Sequence, residues 1–428
     1  MKIVHIIASY KPAYIYGGPI QSVAKLCEAL KDNIDRQPQD NISNIEVLTT
    51  TANGKKELDV VTGKQQTIDG VPVTYFKRWT KDHSHFSPGL LWALRKEIIK
   101  SLKLKTEAPK TNKQISKLNQ TQFIIENERR LMNTELIIHI HAWWNLVSVL
   151  SCWIAKWYNI PVILSSRGMI TSYTQGNRNS IAKRLIQLII GKRLLKYCHI
   201  HVTSEQEEED VLKIVRAKCI TVIPNLVSFP NGISNIDYQV SRQSLKLIFL
   251  SRIEEKKGLD LLFRALALLN FPWSLTIAGT GDENYIKSLK ERTERLKIYD
   301  RINWVGQVSN EDKFDLLASH DLLVLTSYNE NFANVVIESL SVGTPVLLSD
   351  KVGLADYVEE RDFGWTCKLK PEHIHTQIMN VYYDQITREM IRIKAPGIIR
   401  SDFKDEVLIK KYIALYKKGC SALLKMTT

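Results

Sequence analysis

A chain of 428 residues is too long for one ordinary hydrophobic core, so two domains are expected. Its 44% apolar and 24% charged residues are a globular composition, which excludes a disordered tail, a collagen-like chain and a multi-span membrane protein. The net charge of +14 is uneven: residues 1–242 hold 33 basic and 20 acidic side chains, and the remainder 26 and 25. Such asymmetry points the first half towards an anionic partner, either a membrane surface or a nucleic acid.

In chain order, the opening MKIVHIIASYKP has an apolar run too short for a signal-peptide core and reads as a first buried strand. Helical spacing follows in IQSVAKLCEALKD, then strands at 45–50 and 71–77. Residues 95–118 are basic and interrupted at Pro109. Leu136 to Ala155 runs 20 residues without a charge, the length of a membrane span. It contains His139, His141, Asn145, Ser148 and Ser151, each costly in hydrocarbon, so a strand, loop and helix are expected there instead. Strands at 161–166, 199–204 and 221–225 complete the first series, with a basic, apolar-faced stretch at 183–196 between the first two. After a polar segment near 228–244, strands recur at 245–251, 273–279, 302–306, 322–327 and 344–349. Strands separated by helices of 10–20 residues indicate parallel sheets of βαβ units.

The chain is therefore expected to be α/β, with two doubly wound Rossmann-like domains facing across a cleft: residues 1–242, residues 243–402, and a C-terminal helix at 403–428 packing back towards the first domain. Ligands bind such sheets beyond the carboxyl ends of the strands. Six cysteines without paired spacing argue against a disulfide framework or zinc ribbon and fit a reducing compartment.

The strongest chemical signal lies in 327–350. Glu330 falls in a loop after a strand, and Glu338 about two turns into the next helix. Backbone amides of Asn331, Phe332, Ala333 and Asn334 would form that helix's N-terminus, which suits a phosphate, while the carboxylates suit sugar and ribose hydroxyls. This segment resembles the E-x7-E signature of retaining glycosyltransferases of family 4, which have the GT-B fold. Further segments are similar to the same family: Arg252, Lys257 and Gly258 match its R-x4-K-G element, Gly17 and Gly18 its Gly-Gly loop, and IHIHAWW its H-x-H segment. SSRGMI resembles an element of a branch that builds bacterial surface polysaccharides, and TSEQEEED with IPN looks like the usual end of the first domain. Where the family has glycine after the loop phenylalanine, this chain has Ala333.

The resemblance implies sugar transfer from a nucleotide diphosphate sugar to a hydroxyl of a saccharide, free or linked to a polyprenyl diphosphate, with retention of configuration. His141, Arg252, Lys257 and Glu330 would be catalytic. Gly17, Gly18, Asn331, Phe332, Ala333, Asn334 and Glu338 would bind the donor, and Arg167 would serve the acceptor side. With no D-x-D anywhere, Arg252 and Lys257 are expected to replace a divalent ion, so neither metal nor cofactor is expected. The basic first half implies peripheral contact with an anionic membrane surface, at the inner face of a plasma membrane and open to the cytoplasm, and no nucleic acid. Rival readings are a nucleotide-sugar epimerase of the same architecture and a basic nucleic-acid-binding protein.

Ordinary structural roles remain open for several of these residues. His141 could be a satisfied core histidine. His139 is expected to face the other side of the strand. Arg252 could pair with Glu254 or Glu255, and Arg167 could merely brace a loop. Trp143, Trp144 and Trp153 fit a core better than a sugar platform.

Overall fold

A computed structural model describes residues 1–37, 42–82, 84–106, 136–171, 191–230 and 244–424. The chain forms two compact units: Met1–Pro224 with Asp405–Thr428, and Asn225–Lys404. The boundary expected after residue 242, the interruption at Pro109, and Lys183 and Arg184 of the basic stretch lie outside the described residues.

The first unit contains strands β1 (Lys2–Ile6), β2 (Asn44–Thr50), β3 (Ala52–Asn53), β4 (Lys56–Glu57), β5 (Gln65–Ile68), β6 (Val71–Phe76), β7 (Leu136–His141), β8 (Val162–Ser165), β9 (His199–Val202) and β10 (Ile220–Val222). Its sheet runs β10-β9-β8-β7-β1-β2-β6-β5, parallel except for β5 at one edge, and β3 and β4 form a separate hairpin. Helices are α1 (Gly18–Arg36), α2 (Pro88–Thr106), α3 (Leu146–Trp157), α4 (Lys192–Tyr197) and α5 (Glu205–Ile214). The uncharged stretch weighed as a membrane span is thus a central strand followed by a helix. Among the described residues no helix is long and apolar enough to cross a membrane.

Every residue of β7 is buried, as expected where helices cover both faces of a parallel sheet. Alternation divides its side chains between two layers. Ile138 and Ile140 join Val4, Ile6, Val162 and Leu164 in a core closed by α2, α3, α4 and α5 through residues such as Leu94, Cys152, Leu195 and Val211. The other set, His139 and His141, lies beside His5, Ser165 and His201.

The second unit contains β11 (Leu245–Leu250), β12 (Trp273–Ala278), β13 (Ile302–Gly306), β14 (Leu322–Leu325), β15 (Val346–Ser349) and β16 (Gly364–Cys367), all parallel in the order β13-β12-β11-β14-β15-β16. Its helices are α6 (Leu259–Leu266), α7 (Glu283–Arg295), α8 (Asp312–Ala318), α9 (Asn334–Ser341), α10 (Ala355–Glu360), α11 (Pro371–Tyr383) and α12 (Gln385–Asp402). The final helix, α13 (Asp405–Leu424), belongs to the first unit, where Tyr412 and Tyr416 are buried and Lys25 of α1 pairs with Asp405 at 2.8 Å. All twelve expected strands are present; eleven agree to within two residues at either end, and β10 ends three residues earlier than expected. Each sheet reverses its winding at one point, between β1 and β7 in the first unit and between β11 and β14 in the second. In such sheets ligands bind beyond the strand ends at that reversal.

Candidate active-site residues and relatives

In the second unit, the segments following β11 and β14 meet. Lys257 is almost fully buried, and its ammonium donates to the Glu330 carboxylate. Gly258 makes this close approach possible: its φ is +67°, and a Cβ there would lie 2.1 Å from the Thr326 carbonyl oxygen. The Glu330 loop is held on both sides, by Tyr328 N–H to Lys256 O at 2.8 Å and Glu330 N–H to Lys351 O at 3.0 Å. Burial opposes ionisation of Glu330. The positive charges of Lys257, Lys256 and Arg252 outweigh it and hold the carboxyl below its ordinary value. Arg252 is half-exposed and donates to Glu254 at 2.6 Å, so the ordinary ion pair considered from sequence does form.

Beyond Glu330, Phe332 is buried with its ring edge towards Phe403, so its side chain is a core group. Ala333 has φ +61° and caps α9, the left-handed conformation that glycine would take without strain. Asn334 accepts from Asn225 at 3.0 Å, tying α9 to the segment that opens this unit. Glu338 is the fifth residue of α9, about one turn in rather than two. It is buried and paired with Lys313 at 2.7 Å. Lys313 carries no sequence signal, because only packing of α8 on α9 brings it there.

In the first unit, Gly17 has φ +66° where the chain enters α1, whereas Gly18 has ordinary φ and open space around it. His141 ends β7 and is wholly buried. His139 is on the same face, contrary to expectation: residues two apart in a strand share a face, and the two rings lie 4.1 Å apart. Trp143 is buried, as expected of a core residue, whereas Trp153 is 46% exposed.

The hydrogen bonds assign the protons in this cluster. The Ile223 carbonyl only accepts, so His201 donates from Nε2 at 2.9 Å and accepts at Nδ1 from Ser165 at 2.7 Å. Ser165 then accepts from His139 Nε2 at 2.7 Å, and His139 Nδ1 accepts from Tyr416 at 2.9 Å. Separately, Arg167 Nε donates to His141 Nδ1 at 3.4 Å, and His141 Nε2 donates to His5 Nδ1 at 3.0 Å. His5 Nε2 has no partner among the described residues. Burial pushes all four imidazoles down, with the Arg167 charge adding to the effect; His5 and His201 fall to about 3. His5, His139 and His141 are close enough to hold a metal ion. However, both nitrogens of His139 and of His141 serve the bonds just described, so a metal would displace them.

Arg167 (φ +48°) donates to Ser22 at 2.8 Å, and Ala142, after His141, has φ +71°. Strained backbone at Ala142, Arg167 and Ala333 marks candidate functional positions. The Arg167 loop is fixed by Glu207, a buried carboxylate accepting from Ser166 Oγ at 2.5 Å, Gly168 N–H at 2.6 Å and Thr203 N–H at 2.8 Å. Sequence reasoning passed over Glu207, although Ser204-x-x-Glu207 is a capping-box pattern, with Ser204 accepting from Glu207 N–H at 3.2 Å.

Residues 234–397 match the family model described as Glycosyl transferases group 1. An uncharacterized glycosyltransferase of Methanocaldococcus jannaschii is 27% identical over 175 residues, 40% of this chain and 44% of that protein. N-acetyl-alpha-D-glucosaminyl L-malate synthase of Bacillus anthracis is 22% identical over 181 residues, 42% of this chain and 47% of that protein. The matched region thus spans less than half the length of either relative. Sucrose-phosphate synthase from Thermosynechococcus elongatus superposes with a TM-score of 0.68 at 17% identity, covering 99% of this chain and 100% of that one. Residues 234–397 are therefore similar to the group 1 glycosyltransferases, in a chain whose fold is of the GT-B type.

Proposed function

We propose that this protein transfers a sugar from a nucleotide diphosphate donor to a hydroxyl of a saccharide acceptor, with retention of configuration. The observation that carries this reading is the Lys257–Glu330 pair, seated where the second sheet reverses its winding and next to the N-terminus of α9. Lys257 and Arg252 stabilise the departing diphosphate, taking the place of a divalent ion. Glu330 orients the donor sugar, Glu338 with Lys313 supports the ribose, and amides of residues 331–334 meet phosphate oxygens. A phosphate oxygen of the leaving group accepts the acceptor's proton, so Glu330 need not act as a nucleophile. In the first unit, His141 acts as a neutral hydrogen-bonding group, the Gly17–Gly18 loop lets backbone amides approach the donor, and Arg167 serves the acceptor. The acceptor is a polyprenyl-diphosphate-linked saccharide used in bacterial surface-polysaccharide assembly, reached from the cytoplasmic face of the membrane.

The test is nucleotide release from a panel of nucleotide sugars, with and without a lipid-linked saccharide, before and after EDTA. Release stimulated by acceptor and insensitive to EDTA is expected. Epimerised donor without acceptor turnover would overturn the transferase reading, and activity restored only by Mn²⁺ would overturn the cationic one.

A further inference from the structure

The helical layer formed by α2, α3 and α4 has an outward face of unusual composition. Trp92 on α2 is 64% exposed, and Trp153 and Trp157 on α3 are 46% and 72% exposed. The last two lie one helical turn apart with ring centroids at 5.7 Å. The same three helices carry Arg95, Lys96, Lys100 and Lys103 on α2, Lys156 on α3, and Lys192, Arg193 and Lys196 on α4, with Lys96 5.3 Å from the Trp92 ring. The three helices contain one acid, Glu97, and it is engaged by Lys2 at 2.6 Å.

The face is continuous. Arg95 donates to Tyr158, at the end of α3, at 2.9 Å, and Lys156 lies 5.9 Å from the Tyr197 ring of α4. Inward-facing Leu94, Ile98, Cys152, Leu194 and Leu195 already supply the core, so packing within the unit does not require the tryptophans. The next helix in the chain, α5, reverses this composition with the acidic sequence EQEEEDVLKI.

We propose that this face rests on an anionic lipid bilayer, with Trp92, Trp153 and Trp157 at headgroup level and the lysines and arginines against lipid phosphates. Indole rings are favoured at that depth because one edge is apolar and the N–H stays hydrated. Basic side chains alone would suit nucleic acid equally. Three exposed tryptophans on a helical layer, set among lysines and arginines, favour the bilayer. The proposal extends the membrane-side reading above, yet it stands on surface geometry and not on the transfer chemistry.

The experiment is flotation of the full chain with phosphatidylglycerol-containing and with pure phosphatidylcholine vesicles, beside donor hydrolysis as a separate readout. The wild type should float with the anionic vesicles at low salt, with a blue shift of tryptophan emission, and stay behind with the zwitterionic ones. The triple variant Trp92→Ser, Trp153→Ser, Trp157→Ser should float less with the anionic vesicles as well as lose the blue shift. The variant Lys96→Gln, Lys100→Gln, Lys156→Gln should lower vesicle partitioning by about tenfold or more. Donor hydrolysis should be unchanged in both. Undiminished flotation of either variant would overturn the proposal. So would tighter salt-sensitive binding to a DNA oligonucleotide that the same variants abolish. Normal flotation of a wild type that hydrolyses no nucleotide sugar would leave this surface standing and remove the transferase reading.

Discussion

Lys257 and Arg252 make unequal tests of the diphosphate reading. Arg252 is 40% exposed at its side chain and paired only at the surface, so Arg252→Ala should fold normally and lower kcat by about 10²-fold, the loss expected for one charge-stabilising group. Lys257→Ala removes a buried cation from Glu330 as well, so a comparable loss of kcat should come with a lower Tm. Near-normal turnover in both variants would refute the role. Ala333 makes the opposite prediction. An L-residue with φ +61° costs about 1–2 kcal/mol, part of which glycine returns through its freer unfolded chain. Ala333→Gly should therefore raise Tm by about 1–4 °C. A fall in Tm would show that the left-handed turn is not strained.

At the scale of elements, one carboxylate joins two loops. Glu207, in the first turn of α5, holds the loop after β8 and the loop after β9 together, and through Gly168 it sets the backbone beside Arg167. In Glu207→Gln an amide nitrogen replaces one acceptor oxygen and faces a backbone donor. Losing charged hydrogen bonds in a buried site costs about 3 kcal/mol, which in a unit of this size is a drop of about 6–12 °C in Tm. Differential scanning calorimetry of the variant checks this, and an unchanged Tm would mean the bonds contribute nothing net. Tyr416 makes a similar junction: its hydroxyl ties α13, far along the chain, to His139 of β7.

For the whole molecule, the two units should respond differently to acid. His5, His139, His141, His199 and His201 are all in the first unit and all have depressed pKa values, chiefly through burial; His199 lies at about 4. An unfolded chain takes up these protons near pH 6.5, whereas the folded unit does so only well below that. The unfolded state therefore binds more protons across this window, and stability falls as pH drops below about 6.5, by up to about 1.4 kcal/mol per pH unit for each histidine. In the second unit burial likewise lowers His320, against five such histidines in the first. Hydrogen exchange between pH 7 and 4.5 should show protection lost first in β1, β7, β8 and β9 while β11 to β15 stay protected. Simultaneous loss in both units would contradict it.

Much of this was legible in the sequence. β-Branched runs punctuated at helical intervals disclosed the parallel sheets, because burial on both faces requires continuous apolar strands. The spacing of Glu330 and Glu338, the Lys257–Gly258 dipeptide and the double glycine were readable because local backbone conformation restricts which residues fit. Ala333 stands where the family this chain resembles has glycine, and its backbone there is left-handed. What sequence could not disclose were pairings across long separations: Lys313 with Glu338, Arg167 with His141, and Tyr416 with His139 through a chain ending at Ile223. Such contacts depend on which helix lies over which strand, and that order is decided by packing of the whole unit. The exposed tryptophans belong to the same class. Their spacing resembles that of a core, and only the tertiary structure, by filling the core with other residues, leaves them outside.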